Sequence, residues 1–125
     1  MFLKYLRVKL HRAVITDADL NYEGSLTIPA DILDKSGLKP FETIDVYNIN
    51  NGKRFTTYVI KGDKKGVFCA NGAAARLVMP GDRVIVASFQ YVQPGESGKY
   101  SVRILRFDES NNIINSEEYA LSNEK

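Results

Sequence analysis

The sequence predicts a small, mainly β domain closed into a barrel, and three observations lead there. At least six short β-rich runs are separated by turn residues, and only one stretch reads clearly as a helix. The chain has 125 residues, which is enough to bury roughly two thirds of its unfolded surface in one core but not in two. A barrel is the economical closure for so many short strands, because it removes edges that would otherwise pair with other chains.

Taken in order, Phe2 to Ile15 mixes apolar and basic residues in near alternation, which predicts one or two strands with a half-buried face. Ser25-Leu26-Thr27-Ile28 reads as a short strand. Pro29 suits the first turn of a helix that runs through Asp31 to Ser36 and stops at Gly37. Thr43–Ile49 and Arg54–Lys61 flank Asn50-Asn51-Gly52-Lys53, and Asn-Gly between β-rich runs is a strong hairpin signal. Further strands are expected at Val67–Ala70, Arg83–Val92, Tyr100–Phe107 and Asn112–Tyr119, with Pro94 to Gly98 as an exposed loop. No repeat or interdomain linker interrupts the chain, so residues 1–125 are expected to form one domain.

Composition narrows the function classes. A formal net charge of +2 gives no strong field for nucleic acid or an anionic membrane surface. Cys69 is the single cysteine, which excludes an internal disulfide, and with one histidine there is no His/Cys metal set. Its apolar neighbours Val67, Phe68 and Ala70 suit a buried thiol rather than a nucleophile. The amino terminus is interrupted by charge too often for a signal sequence, and no later apolar run could span a bilayer as a helix. A reducing, cytoplasmic setting without membrane partners is the expectation.

The pair Gly24-Ser25, within Tyr22-Glu23-Gly24-Ser25, carries the most chemistry. Gly-Ser is an ordinary turn pair, yet a serine hydroxyl aimed at the preceding carbonyl can convert the amide to an ester. Loss of the Ser25 Cα proton then expels the Gly24 carboxylate, and hydrolysis of the remaining dehydroalanine leaves a pyruvoyl group. Glycine at 24 is expected to supply the backbone freedom this geometry needs. The products would be residues 1–24 and 25–125.

Several further motifs stand in order along the chain: Lys9-Leu10-His11-Arg12, Asn51-Gly52-Lys53-Arg54-Phe55-Thr56-Thr57-Tyr58, Asn71-Gly72-Ala73-Ala74-Ala75 and Gly81-Asp82. With Tyr22-Glu23-Gly24-Ser25, this set resembles the pyruvoyl-dependent aspartate 1-decarboxylases, from Lys9 to about Phe89. The resemblance implies a double-psi β-barrel and a homotetramer with sites between subunits. It also implies conversion of L-aspartate to β-alanine for pantothenate and coenzyme A synthesis. Tyr47 and Arg76 stand where the family often has tryptophan and histidine. The sequence names no maturation helper and implies no metal.

The resemblance assigns roles residue by residue. Ser25 becomes the electron sink, and Tyr58, a phenol that can give up a proton, is the expected donor to the substrate Cα. A dicarboxylate calls for cations, so Arg54 with its planar fork and Lys9 with a flexible charge are the expected anchors. The backbone amides of Gly72, Ala73 and Ala74 match a substrate-binding turn, while His11, Tyr22 and Asn71 match pocket positions of second rank. Thr57 is the expected oxyanion donor in self-cleavage, where one aimed group can be worth roughly 2.7 to 4 kcal/mol, and it also contributes to the substrate pocket. A regular strand would put Thr57 and Tyr58 on opposite faces, so a twist, bulge or backbone contact is expected there. Two rivals come from other classes. Lys4, Arg7, Lys9 and Arg12 interleaved with Phe2 and Tyr5 could form a single-strand nucleic-acid platform, and a barrel surface could serve only for assembly. Both predict one uncut polypeptide.

Overall fold

A computed structural model describes residues 1–121. Nine strands and one α-helix follow in the order β1 (Leu3–Val14), β2 (Asp17–Asp19), β3 (Ser25–Pro29), α1 (Ala30–Ser36), β4 (Thr43–Asn48), β5 (Arg54–Gly62), β6 (Cys69–Asn71), β7 (Arg83–Val92), β8 (Ser101–Phe107) and β9 (Ile113–Ala120). The mainly β expectation holds. All nine strands join one mixed sheet in the order β2-β6-β3-β5-β4-β7-β1-β8-β9. The pairs β1/β8, β2/β6 and β3/β5 are parallel.

The sheet curls around one core. Leu10, Leu26, Val46, Val59, Val86 and Leu105, from β1, β3, β4, β5, β7 and β8, are all fully buried in a single cluster. Phe68, just before β6, meets Phe107 of β8 edge to face at 6.0 Å between ring centroids. Those two strands lie near opposite ends of the sheet order, so the sheet must bend back on itself. This curl fits a barrel, and the double-psi connectivity is carried by the resemblance rather than by the pairings.

β1 is one long strand whose apolar residues shift phase at Arg12. Val8 and Leu10 point inward, then Ala13 and Ile15, because the register slips between His11 and Ala13. Arg12 absorbs that slip with φ +68°. The helix follows its signals: Pro29 is the N-cap residue, Ile32 and Leu33 are buried, and Gly37 at φ +85° donates its N–H to Leu33 O at 2.9 Å. In the β4–β5 hairpin, Gly52 takes φ +76° and donates to Asn48 O at 2.8 Å.

Three features depart from the sequence reading. β2 was not expected, and the turn expected at Gly72 to Ala74 extends to Arg76 as a 3-10 turn. Within the loop expected to be exposed, a second 3-10 turn over Ser97–Lys99 buries Ser97.

Candidate active site

Ser25 opens β3, directly opposite Asn71 on the antiparallel partner β6. The side chain is fully buried. Its Oγ accepts a hydrogen bond from Asn71 Nδ2 at 2.8 Å and donates to Glu23 O at 3.4 Å, so the hydroxyl lies against the backbone that leads into Gly24. Asn71 is itself held from two sides. Its Nδ2 also donates to Thr27 Oγ1 at 3.0 Å, and Cys69 Sγ donates to its Oδ1 at 3.2 Å. Cys69 is therefore a half-buried support of the Asn71 amide, with its thiol pushed up by burial and by Asp17 and Asp19.

The backbone freedom expected at Gly24 is needed one strand away, at Gly72. Gly24 does not have a positive φ, and a Cβ there would meet only Asn71 O at 3.8 Å and Ala73 N at 4.0 Å. Gly72 has φ +64°, and a Cβ on it would sit 2.6 Å from Gly24 N and 2.7 Å from Gly24 Cα. Only a glycine lets the 3-10 turn press its backbone onto the Gly24-Ser25 segment. Ala73 follows at the exposed surface, whereas the Ala74 side chain is buried in the core, leaving its backbone for any ligand.

The expected substrate residues form a second group on the outer face of the sheet. His11, Ile85, Tyr47 and Arg54 lie in one row across β1, β7, β4 and β5. Lys9, Ala87, Asp45 and Thr56 form the row beside it. Lys9 and Arg54 are thus three strand spacings and one row apart, about 16 Å at the backbone, and must reach toward each other to share one small ligand. The Arg54 guanidinium rests over the Tyr47 ring at 4.5 Å, and Tyr47 Oη donates to Asp45 Oδ2 at 3.3 Å. Burial, then Asp45, push the Tyr47 phenol up. None of the hydrogen bonds around Ser25 comes from Lys9 or Arg54.

β5 pairs with β4 without a register slip from Arg54 to Tyr58. Alternation therefore holds, with Phe55 packed on the core and Tyr58 on the other face, stacked on Phe41. No twist or bulge falls at Thr57 and Tyr58, contrary to the expectation; the nearest irregularity lies opposite the next residue, in the 41–42 segment. Val59 donates to Glu42 O and accepts from Phe41 N, so two residues face one. The parallel β3–β5 ladder begins at Leu26 and Val59, so Thr57 and Tyr58 immediately precede the rung beside Ser25. A cleft of about 430 Å3 adjoins the Ser25 cluster, lined by Tyr22, Thr27 and Asn71 together with Asp19, Ile60, Lys61, Gly62 and Asp63.

His11 Nδ1 is buried without a hydrogen-bond partner among the described residues. Burial first, then Lys9, Arg106, Arg12 and Arg83, hold its pKa below the usual 6.5. The folded state therefore disfavours protonation. The stability this contributes is present above the unfolded value and is lost as pH falls from about 6.5 through the lowered folded value. His11→Gln is expected to lose less stability than the parent between pH 7 and pH 5.5 in urea titrations; an equal loss would remove His11 from this account.

Two of the four basic residues in the strip at the amino terminus make internal contacts, while Phe2 is exposed. Arg7 pairs with Glu42, and Lys4 lies over the Phe89 ring at 4.5 Å. No helix among the described residues is long and apolar enough to cross a membrane.

The sequence profile of the aspartate decarboxylase family matches residues 1–114. The chain belongs to that family. It is 47% identical over 115 residues to an aspartate 1-decarboxylase of Pelotomaculum thermopropionicum, covering 91% of this chain and 87% of the relative. A relative with the same name from a Geobacillus species is 49% identical over 114 residues, 90% of each chain. That of Bdellovibrio bacteriovorus is 46% identical over the full length of both. The family match therefore runs well past Phe89, through β8 and into β9, further than the motifs alone indicated. Asn71, given second rank in the sequence reading, is the side chain that holds the Ser25 hydroxyl, and its place at the head of Asn71-Gly72-Ala73-Ala74-Ala75 was its signal in the sequence.

Proposed function

We propose that this chain cleaves itself between Gly24 and Ser25 and then decarboxylates L-aspartate to β-alanine and carbon dioxide, feeding pantothenate and coenzyme A synthesis in the cytoplasm. One observation carries the reading: the buried Ser25 hydroxyl is fixed by Asn71 against the backbone entering Gly24, while Gly72 presses on Gly24 itself. In self-cleavage, Ser25 Oγ bonds to the Gly24 carbonyl carbon, the Gly24–Ser25 amide breaks, and its nitrogen takes up a proton as the amine of Ser25. Removal of the Ser25 Cα proton expels Gly24 as a carboxylate. Water then replaces the nitrogen, which leaves as ammonia, and a pyruvoyl group caps residue 25. Thr57, immediately before the rung beside Ser25, is the proposed oxyanion donor.

Ser25, Asn71 and the Gly72 turn suit a pyruvoyl group: its ketone oxygen would take the place of the Ser25 nitrogen and its methyl that of the hydroxymethyl, and Asn71 Nδ2, freed from Oγ, would be a donor beside the new group. Once formed, that group supplies the electron sink that decarboxylation of an α-amino acid requires. The remaining roles belong to side chains of the family pocket. Arg54 and Lys9 hold the two carboxylates, the amides of Gly72 to Ala74 and the ring of Tyr22 border the substrate, His11 sits beside Lys9, and Tyr58 gives a proton to Cα. Because no hydrogen bond among the described residues links Lys9 or Arg54 to the Ser25 cluster, the outer face of one copy completes the site of another in a homotetramer.

The test is carbon dioxide release from aspartate, asparagine and glutamate by processed protein, normalised to borohydride-reducible ketone. Aspartate should react, asparagine poorly for want of the second charge, and glutamate about 10 to 200-fold less efficiently. Equal turnover of asparagine and aspartate would refute the dicarboxylate site. Thr57→Val should slow cleavage on gels, whereas Tyr58→Phe should be processed fully and lose turnover. A fully processed Tyr58→Phe with unchanged turnover would remove Tyr58 as donor.

A further inference from the structure

Phe41 combines an unfavourable backbone with an exposed aromatic ring. Glu42 N donates to Lys39 O at 3.1 Å, closing a turn with Pro40 at its second position and Phe41 at its third. Phe41 has φ +70°, the left-handed conformation that this kind of turn reserves for glycine or asparagine. The same residue opens the bulge opposite Val59, donating to Val59 O at 2.7 Å, and glycine is the usual choice there too. Burial does not explain the phenylalanine, because it is 75% exposed.

The surroundings hold the turn in place. The Glu42 carboxylate accepts from Arg7 Nε and from Lys39 N, each at 3.0 Å, and Arg7 also donates to Gly37 O at 3.2 Å. Strain of this kind persists only where neighbours over-determine it, and it concentrates where function needs a fixed geometry. The ring contact this arrangement secures is with Tyr58: the centroids are 6.1 Å apart and the planes 24° from parallel.

We propose that Phe41 is a positioning residue for Tyr58, with the strained turn at 39–42 holding the Phe41 ring against the phenol so that its hydroxyl stays in one orientation. The inference rests on the proposed role of Tyr58 as proton donor. A phenol on the open face of a strand can swing between rotamers, and a donor must stand within hydrogen-bond reach of the carbon it serves. A stacked aromatic neighbour biases such a choice by roughly two- to tenfold.

Phe41→Gly removes the ring and suits the left-handed backbone, so it separates positioning from folding. Processed Phe41→Gly is expected to keep its thermal stability and its KM for aspartate, while kcat falls roughly two- to tenfold. Phe41→Tyr should restore kcat. Phe41→Asn tolerates the same backbone without a ring and serves as a second variant if the glycine chain folds or processes poorly; it should show the same loss. In a Tyr58→Phe background, Phe41→Gly should have no additional effect. An unchanged kcat in both ring-less variants, or an equal loss with and without the Tyr58 hydroxyl, would overturn the proposal. If instead Tyr58→Phe alone turns over normally, the donor role falls, and any kcat loss of Phe41→Gly in that background would show that its ring acts elsewhere.

Discussion

Gly72→Ala is expected to accumulate as an uncut chain, with cleavage between residues 24 and 25 slowed by about 100-fold, the effect of misplacing reacting groups by about 1 Å. The new Cβ would fall 2.6 to 2.8 Å from Gly24 N, Gly24 Cα and Tyr22 O, all backbone atoms that cannot rotate away. Either the 3-10 turn or the Gly24-Ser25 segment must move, and overpacking of this kind costs about 1 to 3 kcal/mol. Moving the turn also drags Asn71, the adjacent residue, off the Ser25 hydroxyl. Gly95→Ala is the matched control, since Gly95 has φ +95° with nothing within 4 Å of its would-be Cβ. It carries comparable backbone strain without the collision and should be processed normally. Processing followed by gel over time decides the matter; a normal rate in Gly72→Ala would mean that the contact with Gly24 does not set the cleavage geometry.

Arg54→Ala should lower kcat/KM for aspartate by about 100-fold in processed protein, through loss of a charge-assisted, two-point contact with a carboxylate. Arg54→Lys keeps the charge but not the fork, and should retain a substantial part of the activity. Cleavage should be untouched in both, because Arg54 makes none of the contacts around Ser25. The Tyr47 ring gives an internal check. It carries the guanidinium at 4.5 Å, so Tyr47→Phe, which keeps the ring, should be milder than Tyr47→Ala. Steady-state kinetics on processed protein measure both, and an Arg54→Ala enzyme with unchanged kcat/KM would remove that residue from the substrate site.

The parts of the fold that were readable in the sequence are those set by local chemistry. Asn51-Gly52 marked the β4–β5 hairpin, Pro29 and Gly37 bracketed the helix, and β7 occupies the predicted Arg83–Val92. β2 was not readable, because Asp17–Asp19 is short, exposed and without alternation, and exists through its parallel pairing with β6. The phase shift in β1 depends on a bulge at Arg12 that the near alternation conceals.

For the site, residue identity was legible and relative position was not. Ser25 stood out by its chemistry. Asn71 acquires its importance from a pairing with a residue 46 places away, which no local pattern records. The demand for glycine lies at 72 instead of 24 for the same reason: it arises from two segments pressed together, not from the turn that Gly24 itself makes. Lys9 and Arg54 read as two anchors of one ligand, yet the sheet places them on strands three spacings apart, with Lys9 on β1 four strands from Ser25, a separation set by strand order.

Self-conversion of Ser25 is the claim on which the rest depends, and denaturing mass spectrometry of the purified protein tests it most directly. The parent chain should appear as two polypeptides, Met1–Gly24 and a larger one beginning at residue 25. The larger one should be lighter by one ammonia than the corresponding serine-terminated chain, and should gain hydrogen on treatment with borohydride. Ser25→Ala should remain a single chain and release no carbon dioxide from aspartate. An active parent protein that is entirely uncut, or a Ser25→Ala chain still severed between residues 24 and 25, would contradict the account.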